Sequence, residues 1–370
     1  MEINLFIVSL FVFIFGTVIL YSYSKNVLLS TIVSLIKVSI FYIYFNSGEL
    51  IYTLLDDVQY FQGSIYIYNN INASEFLNQL FIQAQGIHIL YYIYNISSFF
   101  FFGQNYYSPV ALNIILTFLS ALTLYKICMS LLISKRNSLF ISILFCLHWD
   151  ILSWSSFLNL KDILVQFLLL LAVYIYLENK GNLKIMLFKL LPVLGMIYFV
   201  RFYLIFFVLL AIFLARQKIT KVYVFKSIFI SLIFLVIVFA YDRNIFNIFL
   251  SQVDFDLILN IFRFLLTPIP FNYEDGYNFL VFSALLNWLT FPFVIIGFFL
   301  LLYKKENTYN FIIILNLLLI LFYAGFDELL GPRQRLMLVP YFTIATFFGF
   351  HYLYKLIYFK RKNYEVNHIN

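Results

Sequence analysis

The segment IHILYYIYNISSFFFF at residues 87–102 decides how this chain is threaded through a membrane. It has 16 residues, fewer than the roughly 20 that a helix needs to cross a hydrocarbon core about 30 Å thick. It also carries a histidine, an asparagine and two serines, so we interpret it as a helix that lies at the membrane surface. Because this helix does not cross, residues 46–110 are predicted to form one long loop on a single side of the membrane.

The composition of the whole chain is that of a polytopic membrane protein. Of its 370 residues, 64% are hydrophobic and 11% are charged, and the mean hydropathy is +0.94. Soluble domains carry about 45–50% apolar and about 25% charged residues. The net charge of +7 does not indicate nucleic-acid binding, because the basic residues lie in short turns between apolar segments, as in cytoplasmic loops. Cys128 and Cys146 both fall in apolar segments and predict no disulfide framework.

One arrangement of the remaining apolar segments places the lysine and arginine turns on the same side of the bilayer. It predicts an all-α protein with about eleven transmembrane helices, the amino end outside and the carboxyl end inside. Inner turns then hold basic residues such as Lys135 and Arg136, and two outer loops cover residues 46–110 and 242–277. The predicted spans are 5–21, 27–45, 111–132, 139–157, 163–177, 185–200, 202–215, 224–241, 278–303, 309–325 and 336–354.

No internal repeat and no soluble domain stand out, so we interpret residues 1–370 as a single domain integral to the cell (inner) membrane, in contact with the lipid bilayer. Transporters usually show related halves, broken helices and charges at mid-membrane. Here most acidic residues lie at the outer ends of predicted helices. This distribution favours a site that faces the extracytoplasmic side over a transport path.

Asp56 and Asp57 stand side by side at the start of the first outer loop. Adjacent carboxylates repel each other, which raises the pKa of one of them unless a cation offsets the charge. Such a pair suits a general base or a metal ligand, and a solvated turn is the structural alternative. These oxygen ligands would accept a divalent cation, Mg²⁺ or Mn²⁺, but no tight ligand spacing predicts one.

Four short motifs follow one another in the first half of the chain. They are DDVQY with Asp56 and Tyr60, GIHILYYIYNISSFFFFG with His88, the inner turn LLISKR, and NLKD ending at Asp162. In order and in sidedness, these motifs resemble those of the GT-C membrane glycosyltransferases, especially the branch of protein O-mannosyltransferases and lipid A aminoarabinose transferases. The resemblance covers roughly a third of the chain. Two predicted spans precede the acidic pair here, where those enzymes typically have one.

The resemblance implies a glycosyltransferase that moves a sugar from a polyprenyl-phosphate-linked donor to a glycan, lipid or protein acceptor in cell-surface glycan assembly. The leaving group is then an anion that needs cationic partners, and the attacking hydroxyl needs a base. Asp56 or Asp57 would be that base, and Asp162 would orient a hydroxyl or help to hold a cation. Arg201, alone between two short predicted helices, is the leading phosphate contact. Further candidates for substrate binding are Tyr60, His88, Lys161, Arg263, Arg333 and Arg335.

Two other functions fit parts of the sequence. The segments WSSFLNLKD, VRFY and GPRQRLMLVP resemble those of Wzy-type repeat-unit polymerases of O-antigen or capsular polysaccharide, which would join two lipid-linked oligosaccharides. A lipid-linked-sugar flippase would bind the same class of lipid without forming a bond. Structural roles also stay open, namely helix capping for Lys161 and Asp162 and interfacial anchoring for His88 and the arginines.

Overall fold

The chain folds into α-helices connected by short turns. The computed structural model describes residues 4–47, 52, 54–69, 73–84, 88–216, 256–271, 275–303, 307–326 and 331–367. Within these ranges it contains sixteen α-helices and two short 3-10 helices, Asp275–Leu280 and Leu336–Leu338, and no β-strand. The predicted all-α class is therefore confirmed.

The helices are numbered in chain order. They are α1 Leu5–Ser24, α2 Val27–Asn46, α3 Leu55–Asn69, α4 Ala73–Gln83, α5 Ile89–Phe102, α6 Tyr107–Ser130, α7 Lys135–Cys146, α8 Trp149–Phe157, α9 Asp162–Glu178, α10 Leu183–Arg201, α11 Leu204–Arg216, α12 Leu257–Leu266, α13 Val281–Tyr303, α14 Asn307–Ala324, α15 Pro332–Arg335 and α16 Val339–Asn367.

Several of these helices have the length and composition of membrane spans. In the part of the chain that the structure describes, six helical segments are long and apolar enough to cross a membrane, and a bent pair of helices would make a seventh. The polytopic membrane class is thereby confirmed. The predicted span 224–241 and residues 242–255 and 272–274 of the second predicted outer loop lie outside the described residues. Several other predicted spans correspond to shorter apolar helices, so the number eleven stays a prediction.

The predicted span 139–157 is divided into two helices. α7 and α8 meet at an angle of 46°. His148 lies between them in an extended conformation, with φ −60° and ψ 133°, and its Nδ1 accepts a hydrogen bond of 3.3 Å from the backbone N–H of Asp150. A residue with extended backbone cannot continue a helix but can cap the next one. The polar sequence LHWD therefore marks a break within an otherwise apolar segment.

Helix α6 forms the centre of the described bundle. It packs against α1, α5, α7, α8 and α9. In its most apolar stretch 67% of the residues are buried, compared with 33% for α1. Its first residue follows Tyr106 directly, so the amino end of this helix lies within the segment 46–110, which was predicted to form one long loop. Of the helices in this segment, α5 packs directly on α6.

The segment 87–102, predicted to lie at the membrane surface, contains the helix α5, and its depth in the membrane stays a prediction. Its 14 residues correspond to about 21 Å, which is short of a hydrocarbon core. α5 packs on α3, α6 and α10, and it ends at Gly103, whose φ of 84° suits a residue without a side chain. Near this end Phe100 and Phe101 are largely exposed. The helix thus buries one side against α3, α6 and α10 and presents two aromatic rings outward.

Helices α13 and α16 approach each other closely at two glycines. A Cβ atom added to Gly297 would lie 1.8 Å from the carbonyl oxygen of Ala345. A Cβ atom added to Gly349 would lie 2.1 Å from the carbonyl oxygen of Phe293. Small residues allow helices to pack backbone against backbone, which is a common source of association in membranes.

We expect Gly297→Ala to destabilise the protein, because the new methyl group must push α13 and α16 apart. Overpacking of this kind typically costs about 1–3 kcal/mol. Thermal unfolding of the purified protein in detergent measures the effect. Gly195→Ala is the matched control, since a Cβ atom there meets nothing within 4 Å. Equal melting temperatures for the two variants would contradict the close approach of the helices.

Candidate active site

A cleft of about 270 Å³ opens where several helix ends meet. We call it the charged cleft. Its lining comes from α3, the start of α5, the turn before α9, the α10–α11 connection and α15. The lining residues are Asp56, His88, Lys161, Val200, Arg201, Phe202, Tyr203, Arg333 and Gln334. Five residues that the sequence singled out separately therefore share one cavity.

A chain of ion pairs runs along the charged cleft. The carboxylate of Asp162 is fully buried and pairs with Arg201 on one side. On the other side it accepts a hydrogen bond of 2.5 Å from Nε of Arg333. A terminal nitrogen of Arg333 donates to Oδ2 of Asp56 over 2.7 Å. The order is therefore Arg201, Asp162, Arg333 and Asp56, with the exposed end at Asp56, whose side chain is 49% exposed.

The position of Asp162 explains how a fully buried carboxylate is stabilised in its charged form. It is the first residue of α9, where the partial positive charge of the helix end stabilises an anion. Two guanidinium groups provide the further compensation that a buried charge requires. Both arginines use fixed planar donors, which set the direction of each contact. Asp162 thereby joins α9, α10 and α15.

Lys161 contributes a cation that is not neutralised by a carboxylate contact. Its Nζ donates to the hydroxyl of Tyr60 over 2.7 Å and lies 3.1 Å from Nε2 of His88. Nδ1 of His88 lies 3.2 Å from the carbonyl oxygen of Val200. A neutral imidazole that donates from Nδ1 to this carbonyl leaves Nε2 free to accept from Lys161. Among the described residues no ion pair involves Lys161.

The burial of these two groups changes their protonation. Burial, followed by the nearby Arg201 charge, lowers the pKa of Lys161 to about 7. Burial and the adjacent Lys161 lower the pKa of His88 to about 4. His88 is therefore neutral at pH 7, whereas Lys161 is poised between its charged and neutral forms. An anion entering the charged cleft would favour the charged form of Lys161.

Asp57 takes a different position from its neighbour. Its side chain is fully buried, and Oδ2 accepts a hydrogen bond of 2.5 Å from the hydroxyl of Tyr106. Oδ1 accepts from the backbone N–H of Leu54 over 3.0 Å. Burial raises the pKa of the Asp57 carboxyl in spite of these contacts. Consecutive helix residues point about 100° apart, so only Asp56 of the pair faces the charged cleft.

Asn159 lies beneath the cleft at the centre of a buried polar network. Tyr91 donates to its Oδ1 over 2.5 Å, and its Nδ2 donates to Oδ1 of Asn95 over 2.7 Å. Its Nδ2 also lies 3.5 Å from the backbone carbonyl of Asp57. This network fastens α3 and α5 to the turn that precedes Lys161. Sequence analysis quoted NLKD but gave Asn159 no role, and it missed Tyr106 because a protein with 30 tyrosines offers no signal for one of them.

Two tyrosines that the sequence analysis did not assign support Arg201. A terminal nitrogen of Arg201 donates to the hydroxyl of Tyr323 over 3.2 Å. This hydroxyl lies 3.0 Å from that of Tyr203, which lines the charged cleft. The quoted segment VRFY contains both Arg201 and Tyr203, so the signal was present in the motif. The hydroxyl groups of Tyr203 and Tyr323 thus continue the line of polar contacts from Arg201, at the end of the ion-pair chain away from Asp56.

The structure does not bring Arg335 and Arg263 to the charged cleft. Arg335 is 2% exposed and donates to the backbone carbonyls of Leu265, over 2.8 Å, and Thr267, over 2.7 Å. It also lies 3.5 Å from Asp150. Arg263 is on α12, with Asn260 at 3.5 Å. Only the terminal nitrogens of Arg335 meet protein acceptors, and its buried Nε has no hydrogen-bond partner among the described residues, because the side chain points inward from the four-residue helix α15.

The charged cleft presents amine and guanidinium groups for an anion and one half-exposed carboxylate for a proton. Among the described residues, no three His, Cys, Asp or Glu side chains come together in an arrangement that could hold a metal ion. Asp56 and Asp162 instead share Arg333. Charge-assisted hydrogen bonds from arginine suit phosphate oxygens in particular.

Comparisons with known proteins add no assignment. No family model, no curated protein and no solved structure matches the chain. The chemistry of the charged cleft therefore has to support any assignment of function.

We expect Asp162→Asn to lower the free energy of unfolding by about 3–5 kcal/mol, because Arg201 and Arg333 would stay buried without a common partner. Denaturant or thermal unfolding of the purified protein tests this. Asp56→Asn is the matched control, since it removes a carboxylate from the same arginine at an exposed position and should cost less than about 1 kcal/mol. An equal decrease in the free energy of unfolding for the two variants would contradict the role of Asp162 as the shared buried partner of Arg201 and Arg333.

We expect the amine of Lys161 to react with a small acylating reagent such as acetic anhydride in a pH-dependent manner with a midpoint near 7, because burial lowers its pKa to about 7. A free lysine has a pKa of about 10.4. Mass spectrometry of the labelled peptide across a pH series measures the midpoint, and Lys161→Arg identifies the peptide. A midpoint close to that of free lysine would contradict the burial of the Lys161 amine beside Arg201.

Proposed function

We propose that the chain is a membrane glycosyltransferase of the GT-C type. It would use a polyprenyl-phosphate-linked sugar donor and a glycan, lipid or protein acceptor, on the extracytoplasmic side of the membrane, in cell-surface glycan assembly. The single observation that carries this proposal is the charged cleft, where the half-exposed carboxylate of Asp56 lies beside a wall formed by Arg333, Arg201 and Lys161. Transfer from a lipid phosphate needs both parts, a base and a binding surface for the leaving anion.

The cationic wall supports the role of a phosphate site. Lys161 is held by Tyr60 and His88, which carry no compensating negative charge when neutral. Arg333 and Arg201 are balanced by Asp162 and Asp56, so the positive excess of the cluster is the charge of Lys161 in its protonated form. A phosphate entering the charged cleft would balance this excess. It would also depart as an anion when the bond between the anomeric carbon and the phosphate oxygen breaks.

Asp56 is the better placed of the two candidate bases. The acceptor hydroxyl would form a bond from its oxygen to the anomeric carbon and pass its proton to the Asp56 carboxylate. Asp57 is buried under Tyr106 and has no comparable access to the cleft. Asp162 would act by orienting Arg201 and Arg333 instead of touching the acceptor. The sequence left this division of roles open.

An apolar groove supports a donor with a long hydrocarbon chain. The groove has a volume of about 440 Å³ and lies between α12, α13, α14 and α16. Apart from Asn316, the residues that line it are apolar. One of them, Leu265, accepts a hydrogen bond through its carbonyl from Arg335, two residues from Arg333 of the charged cleft. An isoprenoid chain in this groove would keep its phosphate close to α15.

One observation favours a repeat-unit polymerase as the second candidate. The three segments that resemble polymerase sequences, WSSFLNLKD, VRFY and GPRQRLMLVP, contribute Lys161, Arg201 and Arg333 to the same cleft. A polymerase would depend on these arginines and tolerate loss of the acidic pair. A flippase, in turn, would move the lipid without forming a bond. Activity measurements on variants separate the three functions.

We expect purified protein in lipid nanodiscs to transfer sugar from polyprenyl-phosphate or polyprenyl-diphosphate donors to membrane-extracted acceptors, measured by release of the lipid phosphate. Asp56→Asn should lower turnover about 10²–10⁴-fold, the usual contribution of a general base. Arg333→Met should also abolish transfer. Glu75→Gln is the matched control, because this exposed carboxylate lies on α4 outside the charged cleft.

The outcomes distinguish the candidates. Full turnover in Asp56→Asn combined with loss in Arg333→Met would reject Asp56 as the base and support a polymerase. Movement of the lipid across vesicles without release of phosphate would support a flippase. Unchanged turnover in both folded variants would refute the charged cleft as the active site.

A further inference from the structure

A second pocket lies at the opposite end of the bundle from the charged cleft. α6 begins next to Tyr106, near Asp57, and its 24 residues place Ser130 about 36 Å away. α16 likewise starts shortly after α15 and reaches Lys355 about 24 Å further along its axis. The pocket has a volume of about 430 Å³ and lies between the α6–α7 turn, the adjoining ends of α13 and α14, and α16.

Three basic side chains lie in or beside the pocket: one lines it, and two begin the helix whose capping residue Ser134 lines it. Lys135 and Arg136 form the first turn of α7, which contains no acidic residue. Lys355 lines the pocket from α16. None of these three cations forms an ion pair within the described part of the chain.

The start of α7 strengthens the attraction for an anion. Ser134, which lines the pocket, caps this helix by accepting a hydrogen bond of 3.4 Å from the backbone N–H of Asn137. The first amide groups of a helix carry partial positive charge, so cations in the first turn are unfavourable there. An anion at this point would offset the charges of Lys135, Arg136 and the helix end together.

The remaining lining favours a lipid over a free ion. Tyr303 and Tyr352 line the pocket together with apolar side chains, and His351 stacks on Phe347 with ring centroids 5.8 Å apart. Tyrosines concentrate at the depth of lipid headgroups, where a site is apolar on one side and polar on the other. A small inorganic anion would leave the apolar walls uncovered, whereas the glycerol and first acyl carbons of a lipid would cover them.

We propose that this pocket binds the headgroup phosphate of an anionic phospholipid, in the leaflet opposite to the charged cleft. The phosphate would lie between Lys355 and the first turn of α7, and the glycerol backbone would pack against Tyr303 and Tyr352. Basic pockets between membrane helices are suited to such headgroups. Bound lipid would join α7 to α16 at a place where like charges otherwise repel each other. This inference does not depend on the function proposed for the cleft.

Native mass spectrometry and thermal unfolding of the detergent-purified protein test the proposal. We expect phosphatidylglycerol to bind more tightly than phosphatidylcholine and to raise the melting temperature. Lys355→Gln and Lys135→Gln should each weaken phosphatidylglycerol binding about fivefold, the factor expected for one basic side chain near an anionic headgroup. Lys184→Gln is the matched control, because Lys184 is also an exposed lysine in the first turn of a helix but lies outside the pocket.

Three outcomes would overturn the inference. They are equal binding of the two lipids, an unchanged affinity in both pocket variants, and an equal loss in the Lys184→Gln control. Inorganic phosphate at millimolar concentration should not reproduce the rise in melting temperature. If it does, the pocket is a simple anion site and the lipid assignment is wrong. Should Lys355→Gln fail to fold, Lys135→Gln at its exposed position carries the test alone.

Discussion

The buried carboxylate of Asp162, shared by Arg201 and Arg333, is the interaction on which the charged cleft depends. A single charge removed from water costs several kcal/mol, so none of these three groups is stable there without the others. Their chain positions lie far apart, and the cluster therefore joins α9, α10 and α15. The exposed partner Asp56 adds α3 to the same unit. The cleft thus takes its shape from charge pairing as much as from apolar packing.

Around this rigid centre the electrostatic roles are divided. Asp56 faces the cleft while Asp57 is held beneath it by Tyr106, so one carboxylate of the pair is accessible and the other is structural. Lys161 lies next to the neutral His88 and forms no ion pair with a described carboxylate, so its charge is available to pair with a bound anion. The far end of the bundle differs, since the cations near α7 and α16 there have no described carboxylate partner. The two ends of the bundle therefore differ in how their basic side chains are paired.

Sequence analysis located part of this site for a physical reason. A charge such as Arg201 between apolar helices has to be paired, so its isolation in the sequence already marks it as part of a polar cluster. Arg335 was a further candidate from the turn GPRQRLMLVP, and its side chain turns inward to the carbonyls of Leu265 and Thr267. Isolation along the chain indicates that a partner exists but not where it lies. Tyr106 was missed for a different reason: the chain has 30 tyrosines, so the sequence around any one of them does not mark it as part of a site.

By itself the sequence determined the all-α membrane class and the accumulation of polar groups at helix ends, because apolar length and charge placement are local properties of a chain. Only the tertiary structure decided which aspartate faces the cleft, that residues 139–157 are divided at His148, and that Asp56 pairs with Arg333, 277 positions further along the chain. Such contacts arise from the packing of whole helices against one another. Their register depends on shape and burial over the entire bundle, which no local pattern contains.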